Sequence, residues 1–134
     1  NYNSLKKSYK KNYFYIIKLY NISYVVDKNK LCFHDDAIKF GISYKPKKRF
    51  SRIKNKLNGN IKILAIYSST YKYIIDLEKQ IKRKFQHRNG YLSKEILFDG
   101  YTETLPNNNN ILKKIINYCN EDIFLTKENI KELV

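Results

Sequence analysis

The sequence has few cysteines and no long apolar run. Cys32 and Cys119 are its only cysteines, and they lie far apart, without the spacing of a metal-binding motif. Two isolated thiols are typical of a reducing, intracellular compartment, with a disulfide bridge between them as the alternative. No run of about 18 apolar residues occurs, and no positively charged start precedes an apolar stretch. We therefore expect neither a membrane-spanning helix nor a secretory signal.

Acidic residues are scarce as well. The 134 residues include 27 Lys and Arg but only 12 Asp and Glu, which gives a formal net charge of +15. An A/T-rich genome would enrich Lys, Asn, Ile and Tyr through codon usage. The same bias would also supply Asp and Glu, so it does not account for the imbalance. The surplus favours a nucleic acid partner, with a merely solvated basic surface as the alternative.

The length fits one domain with a sizeable core and no need of disulfide support. We expect a basic N-terminal arm at residues 1–11, a core at residues 12–106 and a C-terminal helical extension at residues 107–134. Pro106 and the following run of asparagines mark the second boundary. No internal repeat is present.

Apolar patterning predicts the elements of the core. Three strands are expected at Tyr13–Tyr20, Ala37–Ser43 and Ile61–Ser68. Helices are expected from Pro46 to about Leu57 and from Tyr71 to Gln86. The less regular parts are a loop or hairpin at residues 21–36, a short strand or irregular cap at 92–104, and two short helices at 111–118 and 126–133. The order strand, strand, helix, strand, helix predicts an α/β (α+β) fold with a small three-stranded sheet flanked by helices.

Alternation along the second strand assigns its two faces. Ile38, Phe40 and Ile42 share one face, while Lys39 and Gly41 lie on the other with Ala37 and Ser43. The second face is small and polar, as expected of a face that is open to a substrate.

One acidic residue stands in an unfavourable place. The helix from Tyr71 has a buried stripe, and Glu78 points into it between Ile74 and Ile81. A buried carboxylate costs several kcal/mol unless a cation, a metal or several donors meet it. Glu78 is therefore expected either to bind a metal ion or to form a salt bridge with Lys39 or Arg49.

The order of these parts resembles the GIY-YIG nuclease superfamily, especially its divergent phage and large-virus branch. Tyr13-Phe14-Tyr15 matches the first tripeptide of the family, and Lys39-Phe40-Gly41 matches the second. Arg49 follows Gly41 by eight positions and corresponds to the arginine of the family's first core helix. Glu78 corresponds to the metal-binding glutamate. The resemblance covers about residues 12–100.

The resemblance implies a mainly antiparallel sheet and a metal-dependent endonuclease that hydrolyses DNA phosphodiester bonds. Glu78 would hold Mg²⁺ or Mn²⁺, and Arg49 would contact the scissile phosphate. Tyr15, together with Lys39, would prepare the nucleophile. Arg49 is one of only four arginines in a lysine-rich chain, which gives its position added weight.

The chain departs from the family at several positions. Lys39 replaces the tyrosine of the second motif, Tyr13 replaces the glycine of the first, and Ile53 stands where many relatives carry His or Tyr. Asn89 is the nearest candidate for a late asparagine of the family. A desolvated Lys39 could act as the base, lower the pKa of Tyr15 or bind phosphate. The alternative is a catalytically inactive nucleic-acid-binding module.

Basic residues on the two core helices form the candidate DNA-binding set, which comprises Lys45, Lys47, Lys48, Arg52 and Lys82. With Tyr44, Tyr71 and Tyr73 nearby, they could track a phosphate backbone and stack on unpaired bases.

A third hypothesis is a protein-interaction domain whose acidic C-terminal residues dock on a partner, namely Glu121, Asp122, Glu128 and Glu132. The pattern neither separates DNA from RNA nor predicts an oligomeric state.

Overall fold

Antiparallel strands and helices build the fold in the computed structural model, which describes residues 7–27, 29–85, 90–97 and 100–133. The strands in this part of the chain are β1 (Lys11–Tyr20), β2 (Ile22–Val26), β3 (Lys30–His34), β4 (Ala37–Ser43), β5 (Asn60–Thr70), β6 (Thr104–Pro106) and β7 (Thr126–Lys127). The helices are α1 (Pro46–Lys56), α2 (Tyr71–Phe85), α3 (Asn109–Asn120) and α4 (Ile130–Leu133), with a 3₁₀ turn at Tyr101–Glu103.

The main sheet has five strands in the order β6-β4-β1-β5-β7, and all its neighbouring pairs are antiparallel. The expected mixture of helices and antiparallel strands is confirmed, but the expected three-stranded sheet is wrong. The three predicted strands are its centre. The two additional strands, β6 and β7, have three and two residues and lie at the edges. Elements of this length show no alternation that a sequence pattern could reveal.

Of the two alternatives for residues 21–36, the described residues on either side of position 28 form a hairpin. Strands β2 and β3 pair antiparallel as a separate two-stranded sheet, with Tyr24 opposite Cys32. Cys32 and the buried Cys119 are both free thiols.

The main sheet is covered on both faces. On one face, Phe14, Ile16 and Phe40 pack in a single cluster with buried residues of α2 and α3, namely Ile74, Leu77, Ile81, Ile115 and Cys119. On the other face, Tyr15, Ile17 and Leu19 are 0% exposed. They pack against Phe50, Ile53 and Leu57 and against Leu92 and Leu97. The expectation of an open face is therefore wrong over most of its length, because α1 and the segment before β6 bury it.

The C-terminal segment differs from its prediction. Only Ile130–Leu133 of the expected helix at 126–133 is helical, because Thr126 and Lys127 pair with β5 as strand β7. The backbone N–H of Glu128 also donates to the Ile66 carbonyl of β5. Helix α3 covers the expected helix at 111–118 and extends two residues beyond it at each end. The Asn108 side chain caps it by accepting from the N–H groups of Asn110 and Ile111.

Two of the acidic C-terminal residues are engaged within the chain. Glu128 accepts a hydrogen bond from Ser68 and forms an ion pair with Lys11, and Asp122 accepts from the Tyr73 hydroxyl. They therefore help to hold the C-terminal segment against β1, β5 and α2. None of the helices in the described ranges has the length and apolar character that crossing a membrane requires.

Candidate active site

A cleft of about 410 Å³ brings together side chains from distant parts of the chain. Residues of β1, β4, α1 and α2 line it, as do residues of the segment before β6. The polar ones are Tyr15, Lys39, Arg49, Arg52, Lys56, Glu78 and Glu103. All four residues predicted as catalytic, Tyr15, Lys39, Arg49 and Glu78, thus lie on one cleft.

Tyr15 lies in β1 on the buried face of the sheet. Its ring packs edge-on against Phe50, with ring centroids 5.2 Å apart. Its hydroxyl is buried and has no hydrogen-bond partner among the described residues. Burial raises the pKa of Tyr15 to about 12, although the nearby Arg49 guanidinium opposes the rise. Tyr15 is therefore a neutral phenol at physiological pH.

Gly41 is the partner of Tyr15 on the neighbouring strand β4. The phenol of Tyr15 lies directly over the Gly41 backbone, so a side-chain carbon at position 41 would collide with the hydroxyl and with the ring. Glycine at this position therefore allows the Tyr15 hydroxyl to lie at the cleft.

Lys39 is 3% exposed, which is unusual for an amine. Its Nζ donates to the Gly100 carbonyl at 3.0 Å. Burial lowers the pKa of Lys39 to about 8, and the negative charge of Glu103 only partly opposes this. Gly100 has a φ of 81°, and a side chain there would meet the Lys39 amine. Glycine thus suits both the backbone and the amine at this contact.

Glu78 lies at the edge of the buried stripe of α2 rather than within it. Its side chain is 18% exposed, while Ile74 and Ile81 are fully buried. Within the described ranges, its ion pair is with Lys82, at 3.8 Å, and not with Lys39 or Arg49. Burial raises the pKa of Glu78, and nearby Glu103 adds to the rise while Lys82 opposes it.

Glu103 is a cleft residue that the sequence reading missed. Its carboxylate accepts from Lys82 Nζ at 2.7 Å and from the Thr102 hydroxyl at 2.8 Å. Burial alone would raise the pKa of Glu103, but these hydrogen bonds lower it on balance. Glu103 belongs to the 3₁₀ turn of an irregular segment, where neither helical nor strand periodicity marks a residue as facing a site. Lys82 therefore lies between two carboxylates of the cleft.

Arg49 and Arg52 come from α1, which begins at Pro46. Arg49 is half-buried, and it lines both the cleft and an adjoining groove. Arg52 and Lys56 continue the cleft into a shallow surface along α1 that Lys47 and Lys48 also line.

The other two predicted DNA-binding residues, Lys45 and Lys82, do not line the cleft. Lys45 Nζ lies over the Tyr44 ring, 5.4 Å from its centroid. Lys82 contacts Glu78 and Glu103, as described above. Ile53 is buried and lines the cleft with its apolar side chain. Asn89 lies outside the described residues.

Glu78 is the cleft residue that could hold a hydrated magnesium ion. The described residues contain no cluster of three or more His, Cys, Asp or Glu that could enclose a metal. Mg²⁺ commonly binds one or two carboxylates and keeps several waters. Glu78 offers such a carboxylate, and the cleft has room for water.

Comparisons with known proteins identify no family for this chain. No protein-family model, no curated protein and no solved structure matches it. Any function assigned to the chain therefore depends on its sequence motifs and on the geometry of the cleft.

Proposed function

We propose that the protein is a metal-dependent endonuclease of the GIY-YIG type that hydrolyses DNA phosphodiester bonds in this cleft. The observation that carries the proposal is the convergence of Tyr15, Lys39, Arg49 and Glu78 on one cleft from four separate elements. The order of β1, β4, α1, β5 and α2 also supports a GIY-YIG-like core.

Arg49 and Arg52 bind the phosphate in this proposal. A guanidinium presents two parallel N–H donors that match the oxygens of a phosphate, and its charge is permanent. Both side chains reach the cleft from α1. They would compensate the charge that develops on the phosphate oxygens as the nucleophile approaches.

Glu78 is the residue that would hold the metal ion. A bound Mg²⁺ would supply Lewis-acid stabilisation of the phosphate and of the leaving oxygen. Burial of Glu78 within the cleft favours its pairing with a cation, because a partly desolvated carboxylate is stabilised by positive charge. Lys82 provides part of that charge, at 3.8 Å.

Lys39 is the proposed proton acceptor. With a pKa of about 8, about a tenth of its amines are neutral at pH 7, whereas Tyr15 with a pKa of about 12 keeps its proton. The neutral amine takes a proton from the attacking water, whose oxygen forms the new bond to phosphorus. The bond from phosphorus to the leaving sugar oxygen breaks, and that oxygen ends with a proton from solvent. Tyr15 orients the water or the phosphate through its free hydroxyl donor.

The test is nicking of supercoiled plasmid with Mg²⁺ or Mn²⁺, with an EDTA control. The parent chain is compared with Glu78→Ala and with Glu95→Ala, a change at an exposed glutamate outside the cleft. We expect metal-dependent nicking by the parent and by Glu95→Ala but not by Glu78→Ala. Nicking that persists in EDTA, or in Glu78→Ala, would contradict the proposal.

A catalytically inactive nucleic-acid-binding module is the second candidate. Lys82 favours it, because its ammonium already pairs with both Glu78 and Glu103 and so offsets part of their negative charge. The presence of Lys39 at the second-motif tyrosine also favours it. This candidate predicts salt-sensitive DNA binding by the parent and by Glu78→Ala, with no nicking by either protein.

A further inference from the structure

A second cavity adjoins the cleft and is not used by the proposed chemistry. This groove has a volume of about 720 Å³ and shares Arg49 and Ile42 with the cleft. A strand whose phosphate contacts Arg49 would therefore have a direct continuation into the groove. The other residues of interest here are Lys7, Lys10, Lys11, Tyr44 and Tyr71.

The charge of the groove suits a polyanion. Three lysines line it, and none of the described lining residues is acidic. Lys11 pairs with Glu128 at 3.1 Å, so the groove's positive charge comes mainly from Lys7, Lys10 and Arg49. The lysine segment is held in place, because the Tyr71 N–H at the start of α2 donates to the Lys10 carbonyl at 2.8 Å.

Two tyrosines give the groove aromatic surface. The side chain of Tyr44 is 67% exposed, which is high for a ring of this size. Lys45 Nζ lies over this ring, and Lys7 Nζ lies over the Tyr71 ring at 5.3 Å from its centroid. Cations beside exposed aromatic rings are the elements from which single-strand binding surfaces are built, because each base can stack while its phosphate is neutralised.

We propose that this groove holds a single-stranded extension of the DNA next to the scissile phosphate, with a base stacked on Tyr44 and phosphates contacting Lys7 and Lys10. An unpaired strand is favoured over a duplex, because the faces of paired bases are covered by their neighbours and cannot stack on a side chain. The inference rests on the proposed function, since it places the scissile phosphate at Arg49. It implies that the substrate is a junction between double-stranded and single-stranded DNA.

The test measures binding separately from cleavage. Fluorescence anisotropy in EDTA compares a blunt duplex with duplexes of the same length that carry a 5′ or a 3′ single-stranded extension. We expect the parent to prefer one of the extended duplexes by about tenfold, the size of one base-stacking contact. Tyr44→Ala should abolish the preference, and Tyr44→Phe should retain it.

Phe33→Ala is the matched control. Phe33 is 73% exposed on β3 and does not line the groove or the cleft. Phe33→Ala should show the same preference among the three duplexes as the parent. Equal affinity of the parent for all three duplexes, or a preference that survives in Tyr44→Ala, would overturn the inference. If Tyr44→Ala removes the preference but the parent never nicks plasmid, single-strand binding in the groove is supported and the proposed nuclease activity is contradicted. If nicking occurs but Tyr44→Ala changes nothing, only the inference about the groove is contradicted.

Discussion

Tyr15 and Gly41 are cross-strand neighbours, and the phenol of Tyr15 occupies the space that a side chain at position 41 would need. This contact places the Tyr15 hydroxyl at the cleft, although burial leaves it without a hydrogen-bond partner in the described part of the chain. The contact therefore holds the Tyr15 hydroxyl against the backbone of β4, although burying this polar group is unfavourable. Such unsatisfied groups are uncommon in folded proteins and are often explained by function.

Replacement of Tyr15 by Phe is expected to separate activity from stability. The change removes a buried hydroxyl that makes no hydrogen bond, so the free energy of unfolding should stay the same or rise by up to about 1 kcal/mol. Cleavage should slow by about 100-fold, because a donor at the reacting phosphate is lost. Urea unfolding and single-turnover cleavage measure the two quantities. A loss of several kcal/mol with unchanged cleavage would make Tyr15 a packing residue only.

Replacement of Gly41 by Ala is expected to displace Tyr15. Steric overlap with the phenol should lower the free energy of unfolding by about 1–3 kcal/mol and should also slow cleavage. A double-mutant cycle provides the control, because Tyr15→Ala removes the ring that the new methyl group would meet. Gly41→Ala should therefore cost much less in the Tyr15→Ala background. Equal costs in the two backgrounds would show that the methyl group meets something other than Tyr15.

Replacement of Lys39 by Met is expected to change how stability depends on pH. The pKa of Lys39 is about 8 in the folded protein and 10.5 ordinarily, so the unfolded chain binds this proton more tightly. The free-energy cost of burying the charged Lys39 amine is fully present below pH 8, and it disappears as the pH rises from about 8 to about 10.5. The pKa difference corresponds to about 3 kcal/mol at pH 7, and loss of the hydrogen bond to Gly100 offsets about 1 kcal/mol of it. Lys39→Met should therefore exceed the parent in unfolding free energy by about 2 kcal/mol at pH 7, and by less at pH 10.

Denaturant unfolding at the two pH values measures this difference. Lys72→Met, at an exposed position of α2, serves as the matched control and should match the parent at both. A lower stability of Lys39→Met at pH 7 would mean that the hydrogen bond to Gly100 and the attraction of Glu103 outweigh the cost of burying the amine.

Replacement of Arg49 by Lys keeps the charge but removes the planar pair of donors. We expect cleavage to slow by about 10- to 100-fold while stability changes little, since Arg49 is only half-buried. Arg83→Lys, at an exposed position of α2, is the control and should cleave at the parent rate. Similar rates for both variants would argue that Arg49 contributes only its charge.

The centre of the fold could be predicted from sequence because its elements are long and periodic. Strand β4 begins and ends where the alternation of its apolar residues predicts, and α1 begins at Pro46 as expected. The edge strands could not be predicted. Thr126 and Lys127 are extended because Tyr67 and Ser68 offer an unpaired strand edge, which is a tertiary contact and not a local preference.

The candidate site was predictable in part for a similar reason. Arg49 and Glu78 belong to regular helices, so their spacing from the motifs of β1 and β4 could be compared with that of a known family. Glu103 could not be compared in this way, because it belongs to the irregular segment before β6. The burial of Lys39 could not be foreseen either. It depends on the Gly100 carbonyl, which lies 61 positions further along the chain.

The most direct test of the proposed nuclease compares binding and cleavage in Glu78→Gln, which keeps the shape of the side chain and removes its charge. DNA affinity and the single-turnover cleavage rate with Mg²⁺ are measured for the parent, for Glu78→Gln and for Glu121→Gln, an exposed control. We expect Glu78→Gln to bind DNA as tightly as the parent and to lose cleavage by about 100-fold or more. Undiminished cleavage by Glu78→Gln would contradict the proposed role of this carboxylate.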